Sequence, residues 1–208
     1  MYLEPTVFVV DDDAAMRESL RWLLQSVGLL VETYSTAEGF LDSCDPERPG
    51  CLVLDVRMPG MSGLGLQEEL ARRCIALPAI IITGYAEVPT AVRALKSGAF
   101  DFIEKPFSDQ LLLERVRQAI EVDRAARRVR AARTEAANRL ARLSAREREI
   151  LEFVVAGQPN KVIALTLGVS AKTVEAHRAR IMRRLHVDTL ADLVRLVMLV
   201  QPTGPASP

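Results

Sequence analysis

Four places in this 208-residue chain carry side chains able to do chemistry on phosphorus. Asp11 and Asp12 follow the apolar run 6–10, and Asp55 ends a second such run, 51–54. Thr83 closes a third run, 79–82, and Lys105 follows Phe100-Asp101-Phe102-Ile103, which reads as a further strand. Short runs of this kind, rich in Val, Ile and Leu, read as strands buried on both faces. Open parallel sheets place their chemistry just beyond the carboxyl ends of such strands. Gathered at one edge, Asp11, Asp12 and Asp55 would repel one another, and a proton or a cation must offset this. An all-oxygen set favours a hard divalent ion, Mg2+, which keeps several of its waters. One carboxylate can then attack phosphorus, while the metal and the Lys105 ammonium neutralise the equatorial oxygens of the transferring group. Thr83 would donate a hydrogen bond to the phosphoryl oxygen. Taken alone, Asp55 could equally cap a loop or the next helix.

Bringing those ends together requires a sheet, and residues 1–122 supply the elements for one. Met16, Leu20, Leu23, Leu24 and Val27 fall at helical spacing, with Asp13 placed to cap that helix and Gly28 to stop it. Residues 29–34 read as a second strand, and Ser35-Thr36-Ala37-Glu38 as a capping box opening a short helix through about Cys44. Pro59-Gly60 turns the chain after Asp55, and helices are expected at about 64–73 and 88–97. Ser108 can cap the helix that follows Lys105-Pro106. Five strands alternating with helices give an α/β, doubly wound five-stranded parallel sheet.

The helix after Ser108 continues past this domain. Leu112, Val116 and Ile120 extend its apolar stripe, and residues 123–142 are mostly Ala and Arg with no Gly or Pro. Strong helix formers in that proportion read as a long helical linker. Its seven arginines form a solvated face or touch DNA phosphate. Residues 143–201 then form an all-α domain of four helices. Ser144-Ala145-Arg146-Glu147 is a capping box, Gly157 and Gly168 end the first two helices, and Asn160, Ser170 and Asp188 start the last three. The tail 202–208 reads as unstructured.

The zero net charge conceals a division of the chain. Residues 1–122 hold 11 Lys and Arg against 19 Asp and Glu, a net −8, and residues 123–208 hold 16 against 8, a net +8. A basic second part suits nucleic acid. Its helix pair around Gly168-Val169-Ser170 reads as helix-turn-helix, with Val174, Ile181 and Leu185 as the inward stripe of the second helix. Lys161, Lys172, Thr173, Glu175, Ala176, His177, Arg178 and Arg180 are the candidate DNA contacts. Arg178 is suited to guanine O6 and N7, and Glu175 to cytosine N4. His177 either meets phosphate or packs against the scaffold helix. No apolar stretch approaches the roughly 20 residues that cross a bilayer. The first residues lack the pattern of a signal peptide, so the expected location is the cytoplasm. Cys44, Cys51 and Cys74 lack metal-ligand spacing and read as reduced, packed thiols.

Val10-Asp11-Asp12, Leu54-Asp55-Val56-Arg57-Met58-Pro59-Gly60, Thr83-Gly84 and Lys105-Pro106-Phe107 resemble the receiver domain of two-component response regulators. The resemblance implies that Asp55 accepts phosphate from a sensor histidine kinase. It implies that Asp12 binds Mg2+ directly, Asp11 through water, and Arg57 through its backbone carbonyl. Lys105 would contact the phosphoryl group, with a cis bond to Pro106, and Thr83 and Phe102 would form the switch pair. The stretch 88–99 is similar to the fourth helix of the FixJ branch, which implies a phosphorylation-dependent homodimer. Leu143-Ser144-Ala145-Arg146-Glu147, Asn160-Lys161, Gly168-Val169-Ser170 and Thr173-Val174-Glu175-Ala176-His177-Arg178 look like the LuxR-type DNA-binding domain. The expected protein is therefore a FixJ-type regulator that binds promoter DNA, engages RNA polymerase and acts as an activator. Glu175, where NarL-branch members often carry Lys, argues against NarL-like base preference. The rival readings are a Mg2+ phosphohydrolase and a regulator whose receiver only dimerises.

Overall fold

The computed structural model describes residues 4–84, 94 and 96–200. Five strands, β1 (Thr6–Val10), β2 (Leu30–Tyr34), β3 (Gly50–Asp55), β4 (Ala79–Thr83) and β5 (Asp101–Glu104), form one parallel sheet in the order β2-β1-β3-β4-β5. β1, β3 and β4 are buried along their whole length because both faces of the sheet are covered. Alternation of side chains sorts each strand between two cores. Phe8, Val10, Leu52, Leu54 and Ile81 face one way, against α2 (Ala37–Ser43) and α3 (Gly63–Arg72). Val7, Val9, Val53, Ile80 and Ile82 face the other, against α1 (Ala14–Ser26) and the first turns of α4 (Asp109–Ala141).

The caps explain where the helices begin. Asp13 caps α1 by accepting from the N–H groups of Ala15 and Met16, and Ser108 accepts from Leu111 at the start of α4. In α2 the cap is Thr36, not Ser35: Thr36 is extended and its oxygen accepts from the Gly39 N–H. That leaves Glu38 outside any capping box. The expected helix over 88–97 lies outside the described residues, apart from Ala94, Lys96 and Ser97, and so does the tail.

The chain divides into two compact units between Arg127 and Arg128, inside α4. The residues read as a linker are thereby shared between the two units. At the first unit's end, Asp123 is 1% exposed and accepts from the Gly50 N–H at 2.9 Å and from Arg127 Nε. Arg127 also donates to the carbonyls of Pro46, Glu47 and Arg48. In the second unit, Ala136 and Leu143 are buried in the core, with Leu140 packed against it. That core is otherwise built from α5 (Ala145–Val155), α6 (Asn160–Leu167), α7 (Ala171–Leu185) and α8 (Leu190–Val200). Ser144 and Glu147 form the expected capping box on α5. The start of α8 is held by Thr189, whose oxygen accepts the Asp192 N–H at 3.1 Å, in place of the expected Asp188.

Candidate functional site

Register brings the first group of side chains to one edge. Val10 pairs with Leu54 and Asp55 with Ile82, so Asp11, Asp55 and Thr83 emerge together at the carboxyl ends of β1, β3 and β4. Lys105 follows β5, its N–H bonded to the Thr83 carbonyl at 2.8 Å and its bond to Pro106 cis. The Lys105 ammonium reaches back across the edge and donates to Asp55 Oδ1 at 2.8 Å and to Asp11 Oδ2 at 3.1 Å. The second oxygen of each carboxylate is held by its own loop: Asp11 Oδ1 accepts from the Asp13 N–H, and Asp55 Oδ2 from the Arg57 N–H. Burial pushes the Asp11 carboxyl above its ordinary range, against the Asp13 and Lys105 bonds that hold it down. Burial pulls Lys105 down, but its bonds to Asp55 and Asp11 outweigh this and the ammonium is held above its ordinary range.

Around this centre, Thr83 is buried, Phe102 is half-buried against the first core, and Asp12 and Arg57 are exposed. Among the described residues no three carboxylate, imidazole or thiol groups converge closely enough to hold a metal by themselves. The buried cluster is thus two carboxylates joined by an ammonium, with Asp12 at its rim, where the sequence led us to expect three carboxylates together. Gly63 is required here, because a Cβ on it would overlap the Asp55 carbonyl oxygen. Two residues that sequence reading missed steady the loops: Arg17 donates to the Asp11 carbonyl at 2.7 Å, and Glu38 accepts from the Met61 N–H.

In the second unit, Lys161 on α6 and Lys172, Thr173, Glu175, Ala176 and Arg180 on α7 are exposed. His177 is half-buried, and its Nδ1 is enclosed with no hydrogen-bond partner among the described residues. Arg178, expected at a base, is half-buried. It stands four residues after Val174 and three before Ile181, beside the inward stripe, and its Nη1 donates to Asn160 Oδ1 at 2.6 Å. That spacing was the available signal, since positions three and four apart share a helix face. Arg184 pairs with buried Glu147, which also takes the Ser144 N–H.

The sequence matches the family model described as response regulator receiver domain over residues 7–117, and that of bacterial regulatory proteins, luxR family, over residues 141–197. The chain belongs to the response regulators. It is 46% identical over 204 residues to the transcriptional regulatory protein FixJ of Azorhizobium caulinodans, covering 97% of both chains. The low-resolution structure of the response regulator StyR superposes with a TM-score of 0.86 at 45% identity, covering 94% of this chain and 98% of that one. Full-length FixJ from B. japonicum gives 0.59 at 41% identity, covering 96% and 98%. With a receiver and a LuxR-type domain, this response regulator is a phosphorylation-dependent regulator of transcription.

The receiver edge fits the Mg2+ that such domains generally use. The groups at the edge that could bind a cation are oxygens, beside the Lys105 ammonium, and Mg2+ is held through one or two carboxylates with water completing its octahedron. Two buried carboxylates and a rim aspartate meet that need without a protein cage. No helix among the described residues of this response regulator is long and apolar enough to cross a membrane.

Proposed function

We propose that Asp55 accepts a phosphoryl group from a sensor histidine kinase and that this favours a dimer bound to promoter DNA. The single observation that carries the reading is the Lys105 ammonium within hydrogen-bond reach of both Asp55 and Asp11 at the strand ends. An Asp55 carboxylate oxygen attacks phosphorus, the bond to the kinase imidazole breaks, and the imidazole leaves with the electron pair. Lys105 stays with the transferred group as its charge shifts, and the Thr83 hydroxyl donates to a phosphoryl oxygen. Asp11, Asp12, Asp55 and the Arg57 carbonyl would hold Mg2+, which when bound offsets charge on the phosphoryl oxygens. Thr83 and Phe102 then bias one of two existing arrangements of the receiver.

For the output unit we propose that α7 enters the major groove with Lys172, Thr173, Glu175, Ala176 and Arg180 outward and Lys161 on phosphate. Arg178 acts through Asn160, fixing α6 against α7, and His177 stays with the scaffold. Contact with RNA polymerase and activation complete the reading, in the cytoplasm. Incubation with acetyl phosphate and Mg2+ tests it. Wild type should take label and bind promoter DNA more tightly, and Asp55→Asn should do neither. Undiminished labelling of the Asn variant would refute the assignment.

A further inference from the structure

The turn between β3 and α3 carries two groups that the proposed reaction needs, Asp55 at its root and the Arg57 carbonyl. Its inner part is fixed from within. The Arg57 N–H donates to Asp55 Oδ2, Met58 is buried, and the Gly63 N–H donates to the Val56 carbonyl at 3.1 Å. At its tip Pro59 and Gly60 are exposed, Gly60 has φ +75°, and half-buried Met61 packs against the first core. There a side chain from another element takes hold. Glu38, in the first turn of α2, accepts the Met61 N–H at 3.0 Å through Oε1. The same oxygen lies 3.1 Å from where a Cβ on Gly60 would sit, so Glu38 lies directly against the turn. Thr36 already caps α2, so Glu38 is available to the loop.

We propose that Glu38 is a positioning residue of the phosphoryl site: it holds the tip of the turn so that the Arg57 carbonyl faces the metal position beside Asp55. The inference rests on the Asp55 reading. Mg2+ demands near-ideal octahedral geometry at about 2.0–2.1 Å, so a small displacement of a carbonyl ligand loses it. A residue that touches neither metal nor phosphate can therefore set the affinity for both. The bond is charge-assisted, a carboxylate accepting a backbone N–H, which makes it stronger than a neutral one. Glu38 is exposed, and water competes for the same N–H, which limits the effect.

The test uses the full chain, with Mg2+ alone as the calorimetric probe and acetyl phosphate as phosphodonor. Glu38→Ala should raise the Kd for Mg2+ by about three- to tenfold, the equivalent of one hydrogen bond. Labelling should then need more Mg2+ while reaching the wild-type rate at saturation, and the Met61 amide should exchange faster. Glu38→Gln keeps a neutral acceptor oxygen and should fall between wild type and Glu38→Ala. Wild-type Mg2+ affinity in a Glu38→Ala protein whose Met61 amide exchanges faster would overturn the proposal. So would a Gln variant as weak as the Ala variant, because charge rather than the bond would then be at work. Wild-type protein that takes no label on Asp55 would instead sink the underlying reading.

Discussion

Arg127→Ala tests whether α4 is locked to the first unit by a buried ion pair. The Asp123 side chain is 1% exposed, and Arg127 is its partner cation, with Nε 2.8 and 3.0 Å from the two carboxylate oxygens. Truncating Arg127 leaves that carboxylate buried with only the Gly50 N–H to answer it. Breaking a buried pair from one side costs about 3–5 kcal/mol. The arginine side chain is 20% exposed, so water enters part of the gap and about 2–3 kcal/mol is the expected loss. The carbonyls of Pro46 and Glu47 add little, because both residues are exposed and rehydrate. Adding Asp123→Ala removes the stranded charge and leaves one unpaired N–H, a cost of about 1–3 kcal/mol that falls below the sum of the two single changes. Urea unfolding of the full chain, followed by hydrogen exchange in peptides covering 46–52 and 109–127, reads this directly. An Arg127→Ala protein within about 0.5 kcal/mol of wild type, or strictly additive losses, would refute the argument.

Other outcomes follow from single contacts. Gly63→Ala should cost the receiver stability and slow labelling of Asp55, since the added methyl overlaps the Asp55 carbonyl; equal labelling rates would count against this close approach. Arg180→Ala should lower the salt slope of DNA binding by about one with only a small loss of stability, whereas Arg178→Ala should destabilise the second unit more, through the loss of its bond to Asn160. The Ser144 N–H bonded to Glu147 holds that carboxyl below its ordinary value of 4.5, with help from the Ser144 hydroxyl, Arg184 and Arg180. A depressed carboxylate stabilises the fold above its unfolded value and loses that contribution as pH falls below it. Acid unfolding of the second unit should therefore steepen below pH 4.5, and Glu147→Gln should flatten the curve.

What the sequence made legible was whatever a local pattern dictates. The strands of the sheet were found within about a residue because short β-branched or aromatic runs bounded by turn residues suit strands. The capping box at Ser144 and the cap at Asp13 were legible because both ends of each bond lie within four residues. Ser35-Thr36 offered two hydroxyls in succession, and only the backbone angle at Thr36 decides between them. Contacts between distant segments left no such trace. Asp123 meets Gly50 across 73 residues, and Glu38 meets Met61 across 23. No periodicity marks either pair. Arg178 carried two signals: its charge argued for DNA, while its spacing from Val174 and Ile181 put it beside the inner stripe.

Phosphorylation of the receiver, on the reading proposed above, redistributes the Lys105 ammonium. In the structure Lys105 lies between Asp55 Oδ1 and Asp11 Oδ2 and is shared by both carboxylates. An ammonium has three donors, and a phosphoryl group on Asp55 presents more charge than the carboxylate it replaces. Lys105 is then drawn toward the phosphoryl oxygens, and its hold on Asp11 weakens. Asp11 is 3% exposed and burial raises its carboxyl above the ordinary range, so a weaker Lys105 bond leaves its charge less compensated. A nearby cation or a proton offsets that charge, so metal binding and phosphorylation support each other. Phosphorylation should thus tighten Mg2+ binding, read by calorimetry, more in wild type than in Asp11→Asn. Equal tightening in the two proteins would show that Asp11 and Lys105 are not coupled in this way.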